Sequence, residues 1–137
     1  MLGETLPPQM SDAEINRLAD TIRQTCFEIH RFLKHGHLEK VYENAVTHRL
    51  RKLGLTVYQQ FPLTVHDEDG TVLGDYFADL FVENCLVVEV KACKAIVDEH
   101  LAQLLGYLRS SGIEHGLLIN FGTSIFQIRK LVLKKDD

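Results

Sequence analysis

Tryptophan is absent from the 137-residue chain, and aromatic residues make up only 8% of it. Two-carboxylate glycoside chemistry wants aromatic rings for a sugar to stack on, so this composition speaks against it. The three cysteines, Cys26, Cys85 and Cys93, are odd in number and form no C-x-x-C pair. That argues against a disulfide framework or a thiolate zinc site and leads us to expect reduced, mostly structural thiols in a cytoplasmic protein. No apolar run approaches the roughly 20 residues of a membrane helix. The first residues, with Glu4 and Pro7-Pro8, hold no signal-peptide core. No repeat, low-complexity tract or long linker divides the chain, so we expect a flexible leader over 1–10 and one domain over 11–137. Charge of one sign is also lacking in excess: the net value is −4, too little and of the wrong sign to coat nucleic acid or an acidic membrane in bulk.

What is present is a pattern hidden by that average. Residues 31–52 carry six basic side chains against Glu39 and Glu43, together with His35, His37 and His48, whereas residues 66–99 carry nine carboxylates against Lys91 and Lys94. A basic stretch therefore precedes an acidic one. Solvated faces explain such a pattern, and so does a divided binding site.

The hydrophobic periodicity sets the order of elements. Ser11 with Glu14 three residues on is a capping box, followed at helical spacing by Ile15, Leu18, Ala19, Ile22, Cys26, Ile29 and Leu33. Gly36 breaks that helix, and a second carries Leu38, Val41, Tyr42, Ala45, Val46, Leu50 and Leu53 up to Gly54. Strands follow over about 57–65, with Pro62 marking a bend or an edge, and over 72–82 after the Asp67-Glu68-Asp69-Gly70 turn. Leu86-Val87-Val88 reads as an interior strand reaching Lys91. Asp98 is expected to cap a third helix with Leu101, Leu104, Leu105 and Leu108 buried and Gly112 past its end. Two short strands, 116–121 and about 126–132, complete an α-α-β-β-β-α-β-β order. This predicts an α/β fold with one mixed central sheet flanked by helices.

Within that frame several charges are out of place. Glu89 and Lys91 lie on one face of an otherwise apolar strand, and charges there are costly unless paired, solvated or bound to an ion. Asp79 is a second charge inside an apolar strand, and antiparallel pairing can bring it close to Glu89. Two adjacent carboxylates repel, which is relieved when a divalent cation sits between them; hard oxygen ligands suit Mg²⁺ or Mn²⁺. Asp75 is expected to be a solvated outer position. Glu39, in the first turn of the second helix, either meets the helix dipole or faces the sheet. His100, Gln103 and Tyr107 share a stripe on the third helix offset from its leucines. His35 and His37 lack a third ligand at any zinc spacing and are read as solvated.

Gly36-His37-Leu38-Glu39-Lys40-Val41-Tyr42 reads G-x-x-E-x-x-Y. With Asp79, Glu89-Val90-Lys91, Gln103-x-x-x-Tyr107 and Leu117-Leu118-Ile119-Asn120-Phe121-Gly122, the chain resembles the GxxExxY family, a branch of the PD-(D/E)XK nuclease-like superfamily. The resemblance covers about residues 12–133, and it departs from the usual motif where Ala78 replaces the proline before the first acidic residue. It implies a restriction-endonuclease-like α-β-β-β-α-β core. It also implies that Asp79, Glu89, the Val90 carbonyl and Glu39 hold a metal ion, Mg²⁺ with Mn²⁺ as substitute. Lys91 would orient the attacking water and offset phosphate charge, while Gln103 and Tyr107 border the site.

The implied activity is metal-dependent phosphodiester hydrolysis in nucleic acid, DNA ahead of RNA, with the basic stretch 31–52 contacting phosphates. A homodimer is expected for cutting two strands, with the C-terminal strand as its candidate edge. The competing expectation is a non-catalytic nucleic-acid-binding or interaction module on the same fold.

Overall fold

Ser11 starts the first helix as its sequence pattern requires: its hydroxyl accepts the Glu14 N–H and the Glu14 carboxylate accepts the Ser11 N–H, each at 3.1 Å. In the computed structural model, which describes residues 10–133, this helix is α1 (Asp12–Leu33). It ends at Lys34, and Gly36, at φ 113°, lets the chain turn into α2 (Glu39–Lys52). There follow β1 (Val57–His66), β2 (Val72–Val82), β3 (Leu86–Lys91), α3 (Asp98–Ser111), β4 (His115–Asn120) and β5 (Gln127–Val132). The expected element order is the observed one. Most of the expected leader, residues 1–9, lies outside the described residues; Met10 packs against the core.

The five strands form one sheet in the order β1-β2-β3-β4-β5. Neighbours run antiparallel except β3 and β4, which are parallel because α3 carries the chain back across the sheet. β3 and β4 sit inside the sheet and are buried almost throughout, which accounts for their near-continuous apolar sequence. β1 lies at an edge, the kind of strand in which a proline such as Pro62 is tolerated.

Helices cover both faces. Ile22, Cys26 and Ile29 of α1 and Tyr42, Val46 and Leu50 of α2 pack on Leu80, Val82, Val88, Val90, Leu117 and Ile119. On the opposite face Leu104 and Leu108 of α3 pack on Val87, Leu118, Ala78 and Leu63. Two details of α3 differ from the sequence expectation. Leu101 and Leu105 are only partly covered, because one helix on this face closes over the line of Leu104 and Leu108. Asp98 is the first helical residue and not the cap: Val97 holds that position, and its N–H is taken by His100 Nδ1 at 3.1 Å. His100 thus serves the helix end, while Gly112 closes the other end at φ 75°.

Candidate metal and phosphodiester site

The hairpin of β1 and β2 turns over at one position. Gln59 pairs with Leu80 and Phe61 with Ala78, but pairing is interrupted between them at Gln60 and Asp79, and Gln60 has φ 51°. Leu80 and Val82 face α1 and α2, whereas Ala78 and Tyr76, at the same parity, face α3. Asp79 stands at the crossover. On its other side the β2–β3 ladder runs only through Val82–Leu86, Phe81–Val87 and Leu80–Val88. The next pair in register would be Asp79 with Glu89.

There the side chains replace the ladder. The Asp79 N–H donates to Glu89 Oε2 at 2.8 Å, and the Val90 N–H donates to Asp79 Oδ2 at 2.8 Å. The second oxygen of each carboxylate meets a neutral side-chain donor: Gln60 Nε2 reaches Asp79 Oδ1 at 3.3 Å, and the Tyr76 hydroxyl donates to Glu89 Oε1. N–H and C=O of one residue point to the same strand edge, so the Val90 carbonyl also faces the gap left by the opened ladder.

The charges are uncompensated at close range. Glu89 is 7% exposed, and burial together with the Asp79 charge pushes its carboxyl up to about 7. Asp79 is raised too, chiefly by burial and then by Glu43, against the pull of the Val90 N–H, Gln60 and Lys91. Lys91 is partly buried and its charge acts on Glu39, Asp79 and Glu89, yet the one ion pair within 4 Å among the described residues is Lys40–Glu43. A Glu89–Lys91 pair, the simplest explanation of two charges on one strand, is not formed.

Glu39 is exposed on the first turn of α2, beside Lys91 and the Ala92 N–H. Partial burial holds its carboxyl above the usual range, Lys91 and that N–H draw it down, and Asp79 and Glu43 push it up. It faces the site as well as the helix dipole. Tyr107 of α3 stacks on Tyr76 with 13° between the rings, and burial, then the Glu89 charge, raises its hydroxyl while Gln103, exposed beside it, draws it down. Asp75 is exposed and accepts from Thr64 Oγ1 at 3.0 Å, away from the carboxylate pair, as its place near the turn suggests. His35 and His37 are exposed.

Three participants escaped the sequence reading. Glu43 is buried at 3% exposure and accepts from Lys40 Nζ, from Gln59 Nε2 at 2.9 Å and from Gln60 Nε2 at 3.0 Å. Gln60 therefore bridges Glu43 and Asp79. Tyr76 supplies the donor on Glu89. Glu43 had a local signal, since it follows Glu39 by one turn on the face that carries Tyr42, Val46 and Leu50; Gln60 and Tyr76 had none.

The far end of β3 is held by Asn120. Its Oδ1 accepts from the Cys93 and Gly122 N–H groups and its Nδ2 donates to the Cys93 carbonyl, each at 3.0 Å. The Phe121 N–H takes the Lys91 carbonyl at 2.9 Å. This fixes the segment that carries Lys91 and the Ala92 N–H.

Among the described residues no three His, Cys, Asp or Glu side chains converge on one point, and of the expected ligands Asp79, Glu89 and Val90 are the ones joined by hydrogen bonds. Two carboxylates and a backbone carbonyl form an all-oxygen donor set. It fits a hard divalent ion that keeps several waters, as Mg²⁺ does, and not a closed zinc site.

Compared with known families, residues 16–131 match the sequence model of the PD-(D/E)XK nuclease superfamily. The mixed α/β architecture, with its five-stranded sheet and three helices, is the restriction-endonuclease-like arrangement that this match entails. No curated protein and no solved structure matches the chain. No helix among the described residues is long and apolar enough to cross a membrane.

Proposed function

The chain belongs to the PD-(D/E)XK nuclease superfamily, and from that premise we propose that it is a divalent-metal-dependent phosphodiesterase acting on nucleic acid. The observation that carries this reading is the pair formed by partly buried Asp79 and buried Glu89, placed where the ladder opens, with raised carboxyl pKa values and no ion pair within 4 Å among the described residues. Asp79, Glu89 and the Val90 carbonyl would hold the ion, Mg²⁺ or Mn²⁺, with Glu39 completing the set directly or through water. When bound, such an ion supplies charge neutralisation and water activation for attack on phosphorus. The side chains provide the rest. Lys91 stands beside the pair to orient water and to offset charge on the phosphate. Tyr76 and Gln60 hold the carboxylate oxygens, while Tyr107 and Gln103 border the opening from α3.

The finer family assignment, to the GxxExxY branch, is supported by what its three residues do. Gly36 makes the turn between helices at positive φ, Glu39 faces the site, and the Tyr42 hydroxyl joins the turn by donating to the Lys34 carbonyl at 2.6 Å. DNA is proposed ahead of RNA, and a homodimer would match duplex cleavage. The three cysteines are free, which suits a cytoplasmic setting.

One observation favours a second reading, a binding module without catalysis. Each oxygen of Asp79 and Glu89 already has a protein donor, so the pair stands without a cation. Incubating the protein with single- and double-stranded DNA and RNA in Mg²⁺ or Mn²⁺ separates the two. Cleavage that disappears in Asp79→Ala, Glu89→Ala and Lys91→Ala establishes the nuclease reading. Absence of cleavage, together with no calorimetric binding of either ion at millimolar concentration, favours the module.

A further inference from the structure

The fold divides the basic segment of the sequence between two grooves. One lies between α2 and β1, where Arg51 is committed to the Val57 carbonyl at 2.6 Å. The other, of about 450 Å³, lies where the last turns of α1 meet the loop after β4, and is lined by Phe27, His30, Arg31, Lys34, His35 and Ser124. No acidic residue among the described residues lines it. Arg31 and Lys34 have no ion pair within 4 Å among the described residues. Phe27, Arg31 and Lys34 fall on one helical face at i, i+4 and i+7, with Phe27 51% exposed between solvent and the cations.

Lys34 is the informative residue. It caps α1 with φ 62° and ψ −170°, backbone angles that favour glycine. The strain is held by the Lys34 N–H to the His30 carbonyl at 2.8 Å and by the Tyr42 hydroxyl on the Lys34 carbonyl. Lysine at this position carries a backbone cost that glycine would not, and its side chain lines the groove. The groove is also joined to the site. The Tyr42 ring stacks on Phe121 at 4.6 Å, and Phe121 holds the Lys91 carbonyl. Glu39 lies one turn before Tyr42. Tyr42 and Phe121 thus link the backbone of Lys34, at the groove, to the backbone of Lys91, at the site.

We propose that this groove binds single-stranded nucleic acid, with Arg31 and Lys34 on neighbouring phosphates and Phe27 as a stacking platform for a base, and leads the strand to Lys91, Asp79 and Glu89. The partner class rests on the nuclease reading. The groove itself rests on charge, exposure and connectivity. Cations beside an exposed ring are the combination that holds single strands without sequence preference.

Fluorescence anisotropy with a labelled oligothymidylate, the matching oligouridylate and a duplex, all in EDTA, reads binding without ion or cleavage. Arg31→Glu and Lys34→Glu should each weaken single-strand binding about tenfold, and each lost phosphate contact should reduce the salt slope by about 0.7. Phe27→Ala should weaken it about tenfold with the slope unchanged. Lys34→Gly is decisive: the thermal midpoint should rise by a few degrees, because the backbone strain is relieved, while binding falls. Lys52→Glu, in the other groove, should change binding little.

Wild-type binding by Lys34→Gly, Arg31→Glu and Phe27→Ala, or a larger loss in Lys52→Glu, overturns the groove. Tighter binding of duplex than of either single strand, indifferent to Phe27→Ala, overturns the single-strand assignment. Groove variants that bind normally in a protein that cleaves remove the groove and leave the nuclease reading. Loss of binding in a protein that cleaves nothing with Mg²⁺ or Mn²⁺ supports the groove and removes that reading.

Discussion

Asp79 and Glu89 occupy the register position at which β2 and β3 stop pairing, and their carboxylates take over the hydrogen bonds that the backbone gives up. A regular ladder would bury two like charges against each other with no donors for them. Opening it supplies one backbone N–H to each carboxylate.

That relationship makes stability depend on pH. Glu89 rises from the ordinary glutamate value of 4.5 to about 7 in the fold. The folded state therefore holds its proton more tightly than the unfolded chain does. The resulting stabilisation is complete below about pH 4.5 and is lost as pH rises through about 7. The expected difference is on the order of 3 kcal/mol. Urea unfolding of wild type and Glu89→Gln at several pH values checks this: the wild type should lose stability relative to the variant between about pH 4.5 and 7, and a difference that grows the other way refutes it.

Ion binding should follow the same proton. At pH 8, where Glu89 is ionised, millimolar Mn²⁺ should raise the thermal midpoint of the wild type. At pH 5.5 it should do so far less, and in Glu89→Gln hardly at all. A midpoint shift that is equal at both pH values would place the ion elsewhere.

In the proposed nuclease Lys91 would bear on chemistry more than on stability, since it is partly buried and has no ion pair within 4 Å among the described residues. Lys91→Met should reduce cleavage in Mg²⁺ by about 10²–10³-fold while shifting folding stability by less than about 1 kcal/mol. Gel-resolved cleavage rates beside unfolding curves give both numbers.

Glu43 is a positioning residue, acting on Asp79 through Gln60. Glu43→Ala removes the buried acceptor shared by Gln59, Gln60 and Lys40 and should cost about 1 kcal/mol, since those donors reach solvent. Gln60→Ala should cost less in stability but weaken Mn²⁺ binding, because the Asp79 carboxylate loses its anchor. Unchanged ion affinity in both variants would detach this network from the site.

Gly122 tests how tightly the end of β3 is held. A Cβ there would lie 2.3 Å from the Cys93 backbone nitrogen and oxygen. Gly122→Ala must push the Lys91–Cys93 segment aside, and we expect a loss of at least about 2 kcal/mol together with impaired cleavage. Asn120→Ala should act on the same segment, since it leaves the Cys93 and Gly122 N–H groups without their acceptor. Thermal denaturation and cleavage assays on both variants provide the check.

The elements were legible because their causes are local. The Ser11–Glu14 box, the 3.6-residue stripe of α1 and the apolar run of β3 each announce themselves within a few residues, and so does the oddness of Asp79 and Glu89 in apolar strands. Glu39 was legible through its motif spacing. Gln60 and Tyr76 were not, because their partners lie 17 and 13 residues away and neither residue type is unusual in a strand. The cap of α3 was misplaced by one residue because a histidine three positions later, and not an acidic cap, closes that helix end.

Sequence alone determined which segments become helix and strand, which faces are apolar and which charges are costly, since propensity, periodicity and desolvation act residue by residue. Tertiary structure decided the rest. It placed the ladder break at Asp79 and Glu89, turned the β1–β2 hairpin over at Gln60, set Lys91 among three carboxylates with no ion pair within 4 Å among the described residues, and split one basic segment into two grooves. Those outcomes depend on register and on distances between segments far apart in the chain, which no local pattern encodes.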